Sequence, residues 1–148
     1  MITGIGTHIK TADFDKSLAF YQALGFTKVF AYGPDEEAKE KYRGVVFENG
    51  GSKLEIGEAH IAVKPEVFKE KIASSKISYM INVTSLSEVI DLARKANIEI
   101  TVGPRHYYWG TLELVIKDPD GAVLVFIAPY SKEESEKVSA DESWATPK

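Results

Sequence analysis

No cysteine occurs in the 148 residues. That absence excludes a disulfide scaffold, a thiolate zinc site, an iron–sulfur cluster and a cysteine nucleophile. Long apolar runs are missing too. The longest, Ala122 to Ala128, is far too short to span a bilayer, so no membrane partner is expected. The opening Met1-Ile2-Thr3-Gly4 has neither the basic flank nor the apolar stretch of a signal peptide, and the expected compartment is cytoplasmic. Lys and Arg do not cluster, and the formal charge is −4, so nucleic acid is not an expected partner. There is no Gly-rich phosphate loop, since the one glycine pair, in Asn49-Gly50-Gly51, is a hairpin signal. Ser17, Ser52 and Ser78 lack a nucleophile-elbow context.

What is present is an ordinary globular balance. Hydrophobic residues make up 44% and charged residues 27%, enough for one domain or two small half-domains sharing a core. Periodicity predicts a strand over 5–10, a helix over 13–24, and strands near 26–32, 42–48 and 53–57. A linker with a short helix over 65–74 follows, then a strand at 78–84, a helix over 85–96, and strands near 98–103, 110–117 and 122–128.

The second half repeats the first. An offset of 72 carries Ile9 to Ile81, Phe14 to Leu86, Leu18 to Ile90 and Phe26 to Ile98. Farther on the offset is 70, taking Gly51 to Gly121, Leu54 to Leu124 and Glu55 to Val125. Each helix starts at a capping residue, Asp13 or Ser85, and stops at Gly25 or Asn97, which tolerate a left-handed turn. The expected fold is α+β: two tandem βαβββ modules, residues 1–58 and 77–130, forming curved mixed sheets around a cleft. Residues 59–76 are the linker and 131–148 an acidic, flexible tail.

Strand parity sorts the side chains. Ile5, Ile9, Leu54, Ile56, Leu112, Leu114, Ile116, Leu124 and Phe126 are expected to face the helices. The cleft set is Gly6, His8, Arg43, Val45, Phe47, Lys53, Glu55, Ser78, Met80, Asn82, Trp109, Thr111, Glu113, Val123 and Val125.

The stretch from Gly6 to Tyr21, closed by Leu24-Gly25-Phe26, resembles the opening of the vicinal oxygen chelate superfamily (glyoxalase, bleomycin resistance protein, dioxygenase). Trp109-Gly110 followed by Asp118-Pro119-Asp120-Gly121 resembles the last hairpin of its bleomycin-resistance branch. The resemblance implies a homodimer, with each cleft built from modules of one or both chains. It also implies four metal-ligand positions, which by register are Gly6, Glu55, Ser78 and Val125. Only Glu55 carries a usual donor there, and one carboxylate does not hold a divalent ion, so no cofactor is expected. His8, Glu55 and Glu113 form an alternative donor set only with a different strand geometry. His60 falls in a polar connection, and His106 in a loop able to cover the cleft mouth.

Aromatics carry the stronger signal. Pro104-Arg105-His106-Tyr107-Tyr108-Trp109 sets three aromatics in a row, with Trp109 toward the cleft and Tyr107 and Tyr108 in the loop. Their alternative use is packing at a subunit interface or domain seam. Arg43 and Glu113 either orient a polar ligand or pair with each other. The expected ligand contacts are His8, Arg43, Phe47, Glu55, Met80, Asn82, Tyr107, Trp109, Glu113 and Val125. The expected function is sequestration of an amphipathic or aromatic small molecule without a metal, of which antibiotic resistance is one use. The rival readings are a metal-dependent lyase or isomerase like glyoxalase I, an extradiol-type dioxygenase, and a metal-free enzyme using His8 and Glu55 as an acid/base pair.

Overall fold

Local signals place the two longer helices. Asp13 caps α1 (Phe14–Ala23) by accepting from the Lys16 amide at 3.0 Å, and Ser85 caps α2 (Leu86–Lys95) through the Glu88 amide at 3.3 Å. Both helices end on a left-handed residue, Gly25 at φ 89° and Asn97 at φ 56°. There the next amide turns back, Phe26 to the Tyr21 carbonyl at 3.1 Å and Ile98 to the Ala93 carbonyl at 2.8 Å.

The computed structural model describes Met1, residues 4–59 and residues 77–147, and the chain divides into two units, Met1–Ala73 and Ser74–Lys148. The expected linker helix and His60 lie outside the described residues. In the first unit β1 (Gly6–Lys10), β2 (Lys28–Tyr32), β3 (Gly44–Asn49) and β4 (Ser52–Gly57) form a sheet in the order β1-β4-β3-β2. In the second, β5 (Ser78–Asn82), β6 (Val102–Tyr107), β7 (Thr111–Lys117) and β8 (Val123–Pro129) take the matching order β5-β8-β7-β6. Among these strands β1–β4 and β5–β8 pair in parallel and the rest antiparallel, so each unit is a βαβββ module with a mixed sheet.

One face of each sheet is buried against its helix. In the first unit that core is aromatic: Tyr21, Phe26 and Phe47 meet with ring centroids 5.1–5.9 Å apart, over fully buried Ile56. Such pairs add about 0.5–1.5 kcal/mol each beyond area burial. In the second it is mainly aliphatic, with Leu86, Leu112, Leu114, Ile116 and Leu124 almost wholly inaccessible beside Phe126. The α2-side residues β7 and β8 contribute are those alternation predicts; in the first unit Ile5 is not, for it precedes β1 and is exposed.

The face of β3 is opposite to expectation. Val45 and Phe47 are register partners of Ile56 and Leu54, on the α1 side, while Val46 partners Glu55 on the other face. Three successive apolar residues, Val45-Val46-Phe47, give alternation no contrast. The offset between repeats is 70 in β4 and β8 but 69 in β3 and β7, since Val46 partners Glu55 and Val115 partners Val125. The turn lengths explain this. Gly50-Gly51 joins Asn49 to its partner Ser52, whereas Pro119-Asp120-Gly121 lies between Asp118 and Ala122, one residue more.

Residues 131–147 are not the flexible tail the composition suggests. Ser131 caps α3 (Lys132–Lys137), and a 3₁₀ turn follows over Glu142–Trp144. Glu134 accepts from the Ser87 amide and the Ser85 hydroxyl, both at 2.7 Å, at the N-terminus of α2. The Asp141 amide donates to Pro104, and the His106 and Tyr108 amides donate to Asp141 and Trp144 at 3.1 Å, so the tail covers the free edge of β6.

Two outcomes follow from these contacts. Buried Asp118 accepts from the Asp120 and Ala122 amides at 2.9 and 2.7 Å, so Asp118→Ala costs about 1–3 kcal/mol in denaturant unfolding. Burial acts to raise the Glu134 pKa, but the hydrogen bonds from Ser87 and Ser85 outweigh it and hold the carboxyl below its ordinary value. Its stabilisation is therefore complete above the unfolded-state pKa and is lost as pH falls through the depressed folded value. Glu134→Gln is expected to lower the thermal midpoint at neutral pH, with the gap from wild type closing in acid.

Candidate functional site

The faces turned away from the helices carry the polar and aromatic side chains that the cores do not use. In the first unit one row of register partners crosses all four strands: Phe30, Val46, Glu55 and His8. The two candidate acid/base residues, His8 and Glu55, are thus side by side on neighbouring parallel strands. Tyr32 stands in the next row and donates its hydroxyl to Glu55 Oε1 at 2.6 Å. Burial, the hydrogen bond to Glu55 and the charges of Glu55 and Glu40 hold the Tyr32 phenol far above the ordinary tyrosine range, so it remains a donor.

Arg43 and Phe47 do not join this row. Phe47 is 1% exposed and packs on Tyr21 and Phe26, on the α1 side. Arg43 lies over the Phe14 ring at 4.7 Å and pairs with Asp15 and Glu58, both at 2.9 Å. Its expected partner Glu113 has other donors. A one-residue shift in β3 register moves both residues off the candidate surface.

In the second unit the segment expected as a loop is strand. β6 runs through Arg105, His106 and Tyr107, with Pro104 tolerated because the strand is at an edge. His106 is therefore not part of a mobile cover. It stacks on Tyr130 at 3.7 Å, and its Nδ1 meets Glu142 Oε2 at 2.6 Å, while Glu142 also accepts from Ser135.

Tyr107 and Trp109 stack almost parallel, with centroids 4.5 Å apart and planes 4° off. The Trp109 indole N–H donates to Glu113 Oε1 at 2.9 Å, and the Thr111 hydroxyl donates to the same oxygen at 2.6 Å. Trp144 from the tail stands 6.0 Å from Tyr107, with Arg105 over its ring at 5.1 Å. Behind this group two rows of partners cross the sheet on the same face. Arg105, Glu113, Ile127 and Asn82 make one; Val102, Val115, Val125 and Met80 make an apolar second. Met80, Tyr108 and Trp109 are exposed.

The structure thus brings together His8 with Glu55, Tyr107 with Trp109 and Glu113, and Met80 with Val125. Tyr32, Phe30 and Arg105 are site-face residues that parity did not select. Alternation gave no contrast for the first two, since Val29-Phe30-Ala31-Tyr32 is apolar or aromatic throughout.

A divalent metal would find few donors here. Gly6 and Val125 offer no side-chain donor, Ser78 a hydroxyl, and Glu55 commits one oxygen to Tyr32. Among the described residues there is no group of three or more His, Cys, Asp or Glu side chains that could hold a metal ion. These residues do not fit the metal that the resemblance implies.

Comparison with known proteins gives the wider frame. A mutant of the fosfomycin resistance protein FosX from Listeria monocytogenes, complexed with Mn(II) and 1S,2S-dihydroxypropylphosphonic acid, superposes with TM-score 0.67 at 15% identity, covering 93% of this chain and 99% of that one. A bleomycin-binding protein complexed with bleomycin gives TM-score 0.57 at 24% identity, covering 87% and 100%. A hypothetical protein of S. aureus gives 0.62 at 19%, covering 86% and 95%. No curated protein matches. At these identities the structures show a shared fold. Residues 7–126 match the family model for the Glyoxalase/Bleomycin resistance protein/Dioxygenase superfamily, and the chain, with its two βαβββ modules, belongs to that superfamily.

Proposed function

We propose that this chain is a small-molecule-binding protein that holds an aromatic, amphipathic ligand against the Tyr107–Trp109 pair, with no chemistry on a metal. One observation carries the reading: the Trp109 ring, 54% exposed and stacked on half-buried Tyr107, is held by its indole hydrogen bond to Glu113, which the Thr111 hydroxyl also restrains. A large aromatic left exposed usually moves among rotamers. Here the indole is tethered, so little side-chain entropy remains to be lost when a flat ligand stacks on it. The neighbouring rows offer both ends of an amphipathic molecule, charged and polar at Arg105, Glu113 and Asn82, apolar at Val115, Val125 and Met80.

The superfamily frame is consistent with this use. One structural neighbour is a protein complexed with bleomycin, another a fosfomycin resistance protein complexed with Mn(II). Val125, where the resemblance implies a metal ligand, here joins an apolar row with Val115 and Met80. The resistance vocabulary of these neighbours extends to this chain only as one use of sequestration.

Calorimetric titration with 2-naphthol, a neutral fused-ring probe with one polar tip, tests the reading. Wild-type protein is expected to bind with saturation, equally well in excess chelator, and Trp109→Ala to weaken binding by about tenfold. Unchanged affinity in Trp109→Ala contradicts the placement of the ligand, and binding abolished by chelator contradicts the metal-free reading.

A further inference from the structure

The first unit carries a polar and aromatic arrangement of its own. Its row of Phe30, Val46, Glu55 and His8 sets an aromatic ring, an apolar side chain, a carboxylate and an imidazole across four strands, a span of about 14 Å. The adjoining row is Tyr32, Gly44, Gly57 and Lys10. Its two glycines let Tyr32 lie flat across the sheet. A Cβ at Gly44 would stand 2.0 Å from the Tyr32 ring, and one at Gly57 3.0 Å from the Tyr32 hydroxyl and 3.2 Å from His8 Nε2.

What the clearance achieves is a fixed carboxylate. Glu55 takes the Tyr32 hydroxyl on Oε1, and among the described residues that is the hydrogen bond it accepts, which leaves Oε2 for a ligand. Lys53 pairs with Glu48 at 3.8 Å, and Lys10 is exposed at the far end of the glycine row. Glu40 adds a second negative charge near Tyr32. Phe30 is 51% exposed, and its ring lies 6.3 Å from that of Tyr32, so two aromatic rings stand on the face that holds the carboxylate.

We propose that this face is a binding subsite for an organic ammonium group bearing an apolar or aromatic substituent. The ammonium donates to Glu55, and the substituent packs on Phe30 and Val46. A charge-assisted hydrogen bond and the ring faces both favour a cation, whereas a neutral hydroxyl of the same shape gains only an ordinary hydrogen bond. The chemistry also accounts for the poor fit to a metal ion. A single tethered carboxylate suits a monovalent cation that brings its own apolar body.

Phenethylamine and 2-phenylethanol, alike except for ammonium against hydroxyl, separate the possibilities by calorimetry and two-dimensional NMR. The wild-type protein is expected to bind the amine about tenfold more tightly than the alcohol. The amine should shift the amides of His8, Tyr32, Glu55 and Gly57 most, a readout that needs no variant. Glu55→Gln is expected to bring the two affinities together with the circular dichroism unchanged. Trp109→Ala should leave the preference for the amine intact, which separates this site from the platform of the second unit. Equal affinities, no binding of the amine, shifts confined to the second unit, a preference that survives Glu55→Gln, or one lost in Trp109→Ala would each overturn the proposal.

Discussion

Strand register governs what each surface of this protein can do. Side chains alternate across a sheet, so a shift of one residue exchanges the buried and available faces. In β3 that choice puts Phe47 in the α1 core and Val46 beside Glu55. The helices then act as a fixed reference, because Tyr21 in the first unit and Leu86 in the second are fully inaccessible and cannot accept the polar face. Once those cores are packed, His8, Glu55, Tyr107, Glu113 and their neighbours are left on the opposite faces by geometry alone. A strand slip would bury carboxylates against leucine and phenylalanine, at a cost of several kcal/mol for each unpaired charge.

Carboxylates on those surfaces are restrained by neutral donors. Glu55 is held by a phenol, Glu113 by an indole and a hydroxyl, and Glu134 by two serines and a backbone amide. The first two keep their charge available beside aromatic rings. The third spends its charge on structure, tying the tail to the start of α2. The same tail supplies Trp144 beside Tyr107 and covers the edge of β6, so the segment after the second module is part of the second unit's architecture.

Much of the fold was legible because each signal had contrast. Asp13 and Gly25, or Ser85 and Asn97, bracket their helices with residues whose chemistry suits only those positions. In β7, Leu112, Leu114 and Ile116 alternate with Glu113 and Lys117, and their burial follows the pattern. Contrast fails in Val45-Val46-Phe47, and there the face of Arg43 and Phe47 came out reversed. The strand expected near 98–103 runs instead over Val102–Tyr107, through Pro104 and the segment read as a loop, which an edge strand accepts. The tail was misread because its acidic residues look like a solvated run, when Glu134 and Glu142 have specific partners 47 and 36 residues away. The tie between Tyr32 and Glu55 spans 23 residues and depends on Gly44 being small, which no local pattern announces.

The most direct test of the central claim, that the ligand surface of the second unit is the tethered aromatic pair on the face away from α2, is a crystal structure grown with a flat aromatic compound. Density for that compound is expected stacked on the Trp109 indole, with the Trp109–Glu113 hydrogen bond retained. Density for it elsewhere, with Trp109 bare and its indole N–H turned away from Glu113, would contradict it.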